Sequence, residues 1–396
     1  MPLRVPTIAA VVAAAIGCTG ATLLLQPVKT AAQARLAALP LEAPAPSDNP
    51  TTKERAALGR LLFWDPILSG QKDVACATCH HPDFGYSDGL DLSIGANGVG
   101  LGSGRSFAPG HPARPVKRNS QTVLNVAFNG LTVGTETRPP AAPMFWDARV
   151  RGLEAQALEP LKALEEMRGD AYPEDRALTQ VTTRLNAIPE YRRMFARAFG
   201  GDRPVNQVNL GRALAAFQRT LVAANAPFDR HMRGDTSAMT QEQIRGMERF
   251  QSAGCINCHN GPMLSDFARH VLGVPDNSKL AQPDTGINKT YAFRTPSLRN
   301  LSVTSPYMHN GAFASLEQVL NFYQRVSRGG GRRGGAPGLN APVGREQIDP
   351  LARQLTLRGG QRDIIAFLRA LDDPSFDRTI PDRVPSGLAV GGRLRP

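Results

Sequence analysis

The sequence predicts a mainly α-helical protein that consists of two tandem domains. Three observations lead to this prediction. Apolar residues recur at helical spacing, and no run with the period of two that marks strands competes with them. The pentapeptide Cys-x-x-Cys-His occurs twice, at 76–80 and at 255–259. The length of 396 residues suffices for two hydrophobic cores, so we expect one domain over 51–205 and another over 206–396.

Five helices can be placed from capping signals and apolar faces. Thr52 is a candidate N-cap for a helix that leads to the first pentapeptide, and a Thr240/Gln243 capping box begins one that leads to the second. A further capping box, Ser315 with Gln318, begins the fourth helix. The predicted apolar faces comprise, in chain order, Ala56, Leu58, Leu61 and Leu62; Leu210, Leu214, Phe217 and Leu221; Ile244, Met247 and Phe250; Leu316, Val319, Leu320 and Tyr323; and Ile364, Ile365, Phe367, Leu368 and Leu371. Long irregular segments are expected between the helices, notably 85–118 and 329–344.

The first 34 residues have the character of an export signal. Residues 7–25 carry no charge, and the segment 32–34 is an Ala-x-Ala pattern at which signal peptides are cleaved. Two alternatives stay open, an uncleaved membrane anchor and lipidation of Cys18. All three place the folded part outside the cytoplasm, so we expect a periplasmic protein that touches a membrane only if this segment is retained or lipidated. Residues 35–50 are predicted to be a Pro-rich linker that joins no core.

The other four cysteines all belong to the two pentapeptides. Disulfides or a zinc site would use these cysteines but leave the adjacent histidines unexplained, and 176 positions separate Cys79 from Cys255. In Cys-x-x-Cys-His the two thiols bond to the haem vinyl groups and the histidine ligates the iron. We therefore predict two c-type haems, each at the centre of a cytochrome c-like domain. The predicted attachment residues are Cys76 and Cys79 with proximal His80, and Cys255 and Cys258 with proximal His259.

The charge of the chain bears on its partners. Lys and Arg number 46 against 34 Asp and Glu, which gives a formal net charge of +12. The basic residues are scattered, and no basic stripe interleaved with aromatic residues indicates nucleic-acid binding. We expect no nucleic-acid partner, and an acidic protein partner suits the charge.

Several further motifs accompany the haem sites in a recognisable order. They are RNSQTVLN at 118–125, FWDAR at 145–149, PSLRN at 296–300 and TSPYMHNG at 304–311. With the two pentapeptides, the chain from about 54 to 370 resembles the bacterial di-haem cytochrome c peroxidase family, and within it the MauG-like branch. The resemblance implies a peroxidatic haem in the first domain, an electron-storing haem in the second and a calcium ion between them.

The resemblance assigns residues around the first haem. Where classical members carry a distal histidine, this chain has SIGANG at 93–98, and Ala96 cannot ligate iron. We therefore expect a site open to hydrogen peroxide in the diferric state, with His81 and His111 as rival ligands. Glu166, 20 residues after Trp146, matches the catalytic glutamate of the family, and Gln156, 10 after it, matches a distal glutamine. Pro160 matches a proline that crowds the open face of the iron.

The resemblance also assigns the second haem and the space between the haems. The classical family has an axial methionine 14 residues after the position of His309, and this chain has Tyr323 there. A phenolate favours the oxidised iron states, whereas a thioether favours Fe(II). Met308 is the competing ligand. Trp146 matches the tryptophan that relays electrons between the haems. The resemblance assigns the calcium ion to Asn119 and to the carbonyl groups of Thr304 and Pro306.

These assignments predict an exported MauG-like enzyme that reacts with hydrogen peroxide and forms a high-valent di-haem state. That state would oxidise a protein substrate or a small redox protein. In the member that matures a tryptophan-derived quinone, a tryptophan just before the second haem motif passes holes to the substrate; Ala253 stands there, so we do not predict that reaction. Two alternatives stay open, a classical peroxidase that takes electrons from a small cytochrome or cupredoxin, and a di-haem electron-transfer cytochrome without catalysis.

Overall fold

The computed structural model describes residues 35–134, 138–329 and 343–392. Over these residues the protein is mainly α-helical, as predicted, and its strands form short antiparallel pairs. The predicted signal segment 1–34 lies outside the described residues, as does most of the Gly/Arg-rich segment 328–335. No helix in the described ranges combines the length and the apolar character that crossing a membrane requires.

The helices are α1 (Lys53–Trp64), α2 (Cys76–Cys79), α3 (Leu153–Gln156), α4 (Glu159–Lys162), α5 (Ala177–Ala187), α6 (Pro189–Phe199), α7 (Gln207–Gln218), α8 (Pro227–Met232), α9 (Gln241–Ser252), α10 (Leu316–Ser327), α11 (Pro350–Arg353) and α12 (Gln361–Arg369). The strands are β1 (Gly98–Val99), β2 (Ser106–Phe107), β3 (Pro143–Met144), β4 (Val150–Arg151), β5 (Arg269–Val271) and β6 (Ala292–Arg294), paired β1 with β2, β3 with β4 and β5 with β6. The caps predicted at Thr52, Thr240 and Ser315 are confirmed, because each side chain accepts a hydrogen bond from the main chain three residues on.

The first core is built on the crossing of α1 and α7. Gly59 lies at the crossing, where an added Cβ would stand 1.9 Å from the carbonyl oxygen of Ala213, so only glycine allows this approach. Helices α5 and α6 complete this core, with Tyr191 and Phe195 fully buried.

The second core repeats the arrangement with α9 and α12. Gly246 lies at the crossing, and its added Cβ would stand 1.9 Å from the carbonyl oxygen of Asp363. Each core therefore places a close helix pair, with glycine at the contact, beside its own Cys-x-x-Cys-His segment. Phe250, Ile364 and Phe367 fill the space between the second pair.

The course of the chain between the cores differs from the domain bounds that the sequence predicts. Helix α7, assigned to the second domain, packs within the first core on α1. The C-terminal segment also returns to the first core, where Phe376, Val384 and Val390 are buried. An apolar face in a sequence indicates that a helix is buried, but it does not indicate against which partner.

Residues 35–50 also differ from the predicted linker. Leu39 is 1% exposed and packs with Phe128, Ala224 and Met263. Its N–H donates to Asp229 Oδ1 at 2.8 Å. The segment therefore takes part in a core, and its single buried leucine among prolines has no periodicity that a sequence pattern could reveal.

Candidate functional site

One cavity of about 690 Å³ has both Cys-x-x-Cys-His segments on its wall. Every residue that the sequence analysis assigned to haem attachment, the second haem's axial ligand, the peroxide side, the relay or calcium also lies on this wall. They are Cys76, Cys79, His80, Asn119, Trp146, Gln156, Pro160, Glu166, Cys255, Cys258, His259, Thr304, Pro306 and Tyr323. Residues far apart in the sequence, from both halves, are thus brought to one continuous space.

The first Cys-x-x-Cys-His segment fits a covalent haem. A single helical turn, in which His80 N–H donates to Cys76 O at 2.9 Å, brings both thiols and the imidazole together. The Nδ1 atom of His80 lies 3.1 Å from Tyr86 O and 3.3 Å from Ser120 Oγ. A proton on Nδ1 satisfies the Tyr86 carbonyl and leaves Nε2 free to ligate an iron.

The second segment repeats this geometry. His259 N–H donates to Cys255 O at 2.9 Å, and His259 Nδ1 lies 3.0 Å from Leu264 O. Burial raises the pKa of the Cys255 thiol, as it does that of Cys76, to about 12. All four cysteines are free in the structure, so the disulfide alternative is not realised.

A zinc site that joins the two cysteine pairs is also not formed among the described residues. The one cluster of suitable ligand atoms there consists of Cys258, Asp266 and His270. His270 lies 3.1 Å from Asp266 Oδ2 and 2.7 Å from Asp349 Oδ2. Burial lowers the pKa of His270, but the hydrogen bonds to the two carboxylates outweigh burial. The pKa is therefore raised above its usual value, to about 12. Both ring nitrogens of His270 thus have carboxylate partners in the structure.

The residues predicted for the peroxide side come from three short helical elements in succession. Gln156 ends α3, Pro160 lies in α4 and Glu166 lies in the π-helical turn Leu164–Arg168. Burial raises the pKa of Glu166 to about 7, although the Arg149 guanidinium opposes this. A carboxyl with a pKa near neutrality exchanges protons readily in both directions, which suits a general acid and base.

The rival histidine ligands do not reach this side. His111 is exposed, and His81 is buried against Trp64 with a ring separation of 5.8 Å; neither lies on the cavity wall. Ala96 is buried behind the wall, and Ser93 is the residue of its loop that faces the cavity.

Tyr323 faces the cavity from α10 on the side of the second haem segment. Burial raises the pKa of its phenol, and the nearby Cys258 and Cys255 act in the same direction. Tyr323, Cys255 and Cys258 all lie on the wall of the same cavity. Met308, the competing ligand, also lines the cavity.

Trp146 joins the two halves. Its Nε1–H donates to Asn119 O at 3.0 Å, and Arg294 N–H donates to Trp146 O at 2.6 Å. Its ring lies 6.5 Å from that of His309, which stacks on Phe293 at 3.7 Å.

Sequence reasoning missed a charged network beside Trp146. Arg118 contacts Asp147 at 2.7 Å and Asp284 at 2.5 Å, and these contacts hold the pKa of both carboxyls below the usual range against burial. Arg118 and Asp147 stand in the RNSQTVLN and FWDAR motifs, but the sequence does not reveal that Asp284 is their partner.

The proposed calcium ligands have oxygen atoms to offer. Asn119 Nδ2–H donates to Leu90 O at 2.7 Å, which turns Oδ1 toward other partners. Across the described part of the chain, no hydrogen bond is accepted by Asn119 Oδ1 or by the carbonyls of Thr304 and Pro306. Oxygen atoms of this kind are the ligands that a hard cation such as Ca²⁺ prefers.

Comparison with known proteins identifies the family of this chain. The sequence profile of the di-haem cytochrome c peroxidases matches residues 53–237. The methylamine utilization protein MauG of Methylorubrum extorquens is 36% identical over 362 residues, which is 89% of each chain. Cytochrome-c peroxidase IdrP1 of a Pseudomonas species (strain SCT) is 34% identical over 385 residues, covering 86% of this chain and 88% of its own.

Among solved structures, a MauG-like protein associated with microbial copper homeostasis superposes with a TM-score of 0.66 at 27% identity, over 85% of this chain and 95% of the other. The two sequence relatives carry different roles in their names at nearly equal identity, so identity alone does not choose between those roles. What they share is the family, its two haems and its oxidoreductase activity. The chain is an enzyme that belongs to the di-haem cytochrome c peroxidase and MauG family.

Proposed function

We propose that this protein is an exported, MauG-like enzyme that reacts with hydrogen peroxide in its diferric state and then oxidises a protein side chain or a small acidic redox protein. The observation that carries the proposal is the position of Tyr323 on the cavity wall that also carries Cys255, Cys258 and His259. A tyrosine ligand disfavours Fe(II), so this half is suited to hold oxidising equivalents without prior reduction.

When bound, the two haems supply the two-electron chemistry with peroxide and the storage of oxidising equivalents. Glu166 accepts the proton of the incoming peroxide and returns it to the outer oxygen, which leaves as water. Gln156 donates a hydrogen bond that orients the peroxide, and Pro160 restricts the space beside it. None of these three residues is a histidine that would have to leave the iron before peroxide binds.

The chain's own residues also connect the two halves. The Trp146 indole, fixed by its bond to Asn119 O, is the relay for electrons across the cavity. Asn119 Oδ1 and the carbonyl oxygens of Thr304 and Pro306 would hold a calcium ion, which would keep the relay and its surroundings in place.

The net charge of +12 supports an acidic redox partner, since charge complementarity steers association. With candidate donors, the rate of turnover should fall as salt is added. Turnover independent of ionic strength would contradict this part of the proposal. The uncharged segment 7–25 supports export to the periplasm.

A classical peroxidase is the second candidate, favoured by the presence of Met308 on the same cavity wall. If Met308 were the axial ligand, the second haem would be readily reducible and the enzyme would need an electron before it reacted.

One experiment separates the two candidates and the simple electron-transfer cytochrome. The visible and near-infrared spectrum of the diferric protein is recorded before and after one equivalent of hydrogen peroxide, with no prior reduction. We expect an immediate change at both haems. A change that appears only after an electron is added would indicate the classical peroxidase. No change under either condition would indicate an electron-transfer role.

A further inference from the structure

Residues 99–117, which we call the insertion because the resemblance to the family marks them as one, fold back onto the loop that contains Ala96. Strands β1 and β2 form a hairpin in which Gly98 pairs with Phe107 and Val99 with Ser106. Past the hairpin, Ala108 N–H donates to Asn97 O at 2.8 Å and Val116 N–H donates to Ser93 O at 2.9 Å. The insertion therefore holds both ends of the loop 93–98.

A single buried arginine fills the space between the hairpin and this loop. Arg105 is 6% exposed. Its Nε–H donates to Ile94 O at 2.5 Å, its Nη2–H to Gly95 O at 2.7 Å and its Nη1–H to Gly100 O at 3.0 Å. One rigid guanidinium thus binds three main-chain carbonyls and fixes their directions.

On its other side the loop packs directly against the turn that carries Glu166. An added Cβ at Gly95 would stand 2.2 Å from Glu166 O and 2.3 Å from Glu165 O, so the two main chains are in contact there. Ala96 Cβ lies beside Gly169, where an added Cβ would be 3.4 Å away. Contacts therefore run from Arg105 through Gly95 to the main chain of Glu166.

We infer that Arg105 is a positioning residue of the peroxide site, which clamps the 93–98 loop against the Glu166 turn and thereby holds the Glu166 carboxyl in its buried orientation. The inference rests on the proposed role of Glu166. Arg105 does not line the cavity and therefore acts only through the loop and the turn.

Loss of the clamp should have two linked consequences. The amides of the loop should exchange with solvent more readily, because Arg105 no longer holds the main-chain carbonyls of the loop in place. Water should reach Glu166, so the midpoint of its titration should move from about 7 toward the usual carboxyl range. A displacement of about 1 Å at a catalytic group typically slows a reaction by roughly a hundredfold.

The test compares four variants of the holoprotein, each checked for two haems per chain. Arg105→Gln removes the clamp, and Arg105→Lys keeps the charge without the three-way bonding. Gly98→Ala keeps Arg105 but places a Cβ 2.5 Å from its Nη2, which displaces the guanidinium. Arg114→Gln is the matched control, because Arg114 lies in the same insertion and pairs with Asp170 at the surface.

Hydrogen exchange of peptides that cover residues 93–108 is measured first, and the pH profile of the peroxide reaction second. We expect Arg105→Gln and Gly98→Ala to exchange at least roughly tenfold faster in these peptides, which corresponds to a local opening made more favourable by that factor. Both should show a lower pH midpoint and a loss of about a hundredfold in rate at pH 7. In exchange, pH midpoint and rate, Arg105→Lys should fall between these two variants and the wild type. Arg114→Gln should match the wild type in all three.

Wild-type exchange in both Arg105→Gln and Gly98→Ala would overturn the clamp. Faster exchange with an unchanged pH midpoint would overturn the positioning role. If Arg105→Gln does not retain two haems, Gly98→Ala decides the matter. If Glu166→Gln leaves the peroxide reaction intact, the proposed function fails, and the exchange measurement still decides whether Arg105 clamps the loop.

Discussion

Replacement of Glu166 by glutamine removes the proton-transfer group and keeps the shape of the side chain. Because burial raises the pKa of Glu166 to about 7, the carboxyl is protonated below that pH and ionised above it. The form that accepts a proton from peroxide is the ionised one. At pH 5 about one carboxyl in a hundred is ionised, and at pH 8 about nine in ten are.

The rate constant for the reaction of the diferric protein with peroxide should therefore rise roughly a hundredfold from pH 5 to pH 8. In Glu166→Gln this rise should disappear. The rate above pH 8 should fall by about 10² to 10⁴, the usual contribution of a general acid or base, which is about 3 to 5 kcal/mol of activation free energy.

The assay is stopped-flow absorbance at several peroxide concentrations across this pH range. Glu174→Gln is the control, because Glu174 is exposed and the substitution removes the same charge from the surface. The reasoning would be refuted if Glu166→Gln kept both the wild-type rate and the hundredfold pH dependence, since another group would then move the proton.

Four other predictions concern the ligand, the relay, the cation and the fold. Tyr323→Met should raise the reduction potential of the second haem by a substantial part of the roughly 0.8 V that axial ligands span, as measured by redox titration; an unchanged potential would exclude Tyr323 as ligand. Trp146→Phe should leave the peroxide reaction at the first haem intact and abolish the spectral response of the second, and a simultaneous response at both would contradict the relay. Removal of calcium with a chelator should slow electron transfer between the haems. Ca²⁺ but not Mg²⁺ should restore this transfer, because the site offers flexible oxygen ligands. Transfer at the original rate after complete chelation would disprove the calcium site. Phe376→Ala should lower the free energy of unfolding by about 3 to 5 kcal/mol, because Phe376 is buried in the first core, whereas Leu41→Ala, at a position 66% exposed, should change it by less than about 0.5 kcal/mol. Equal effects of the two would show that the C-terminal segment does not stabilise this core.

Features with a local chemical cause could be predicted from the sequence. The two Cys-x-x-Cys-His segments needed no tertiary information, because the reacting groups lie within five positions and one cofactor constrains all of them. Thr52, Thr240 and Ser315 were identified as caps because a cap satisfies donors only three residues away. The helices end slightly earlier than their apolar patterns, since Leu221 and Leu371 lie just beyond α7 and α12.

The placement of Glu166 and Tyr323 had a different basis. Their spacing from Trp146 and His309 resembled a known family, and the same residues without that resemblance would have indicated an acidic surface turn and a core aromatic. The cavity brings them to one wall, whereas spacing in the sequence contains no distance in space.

By itself the sequence determined the helical class and the family of this protein and predicted its haem-attachment residues, because each depends on residue types at short or conspicuous spacings. Only the tertiary structure decided which helix packs on α1, that Leu39 and Phe376 are buried, and that Arg105 binds the loop beside Glu166. These features depend on contacts between residues distant in the chain. A buried arginine or leucine in an irregular segment has the same local sequence as an exposed one, and only its partners in space distinguish it.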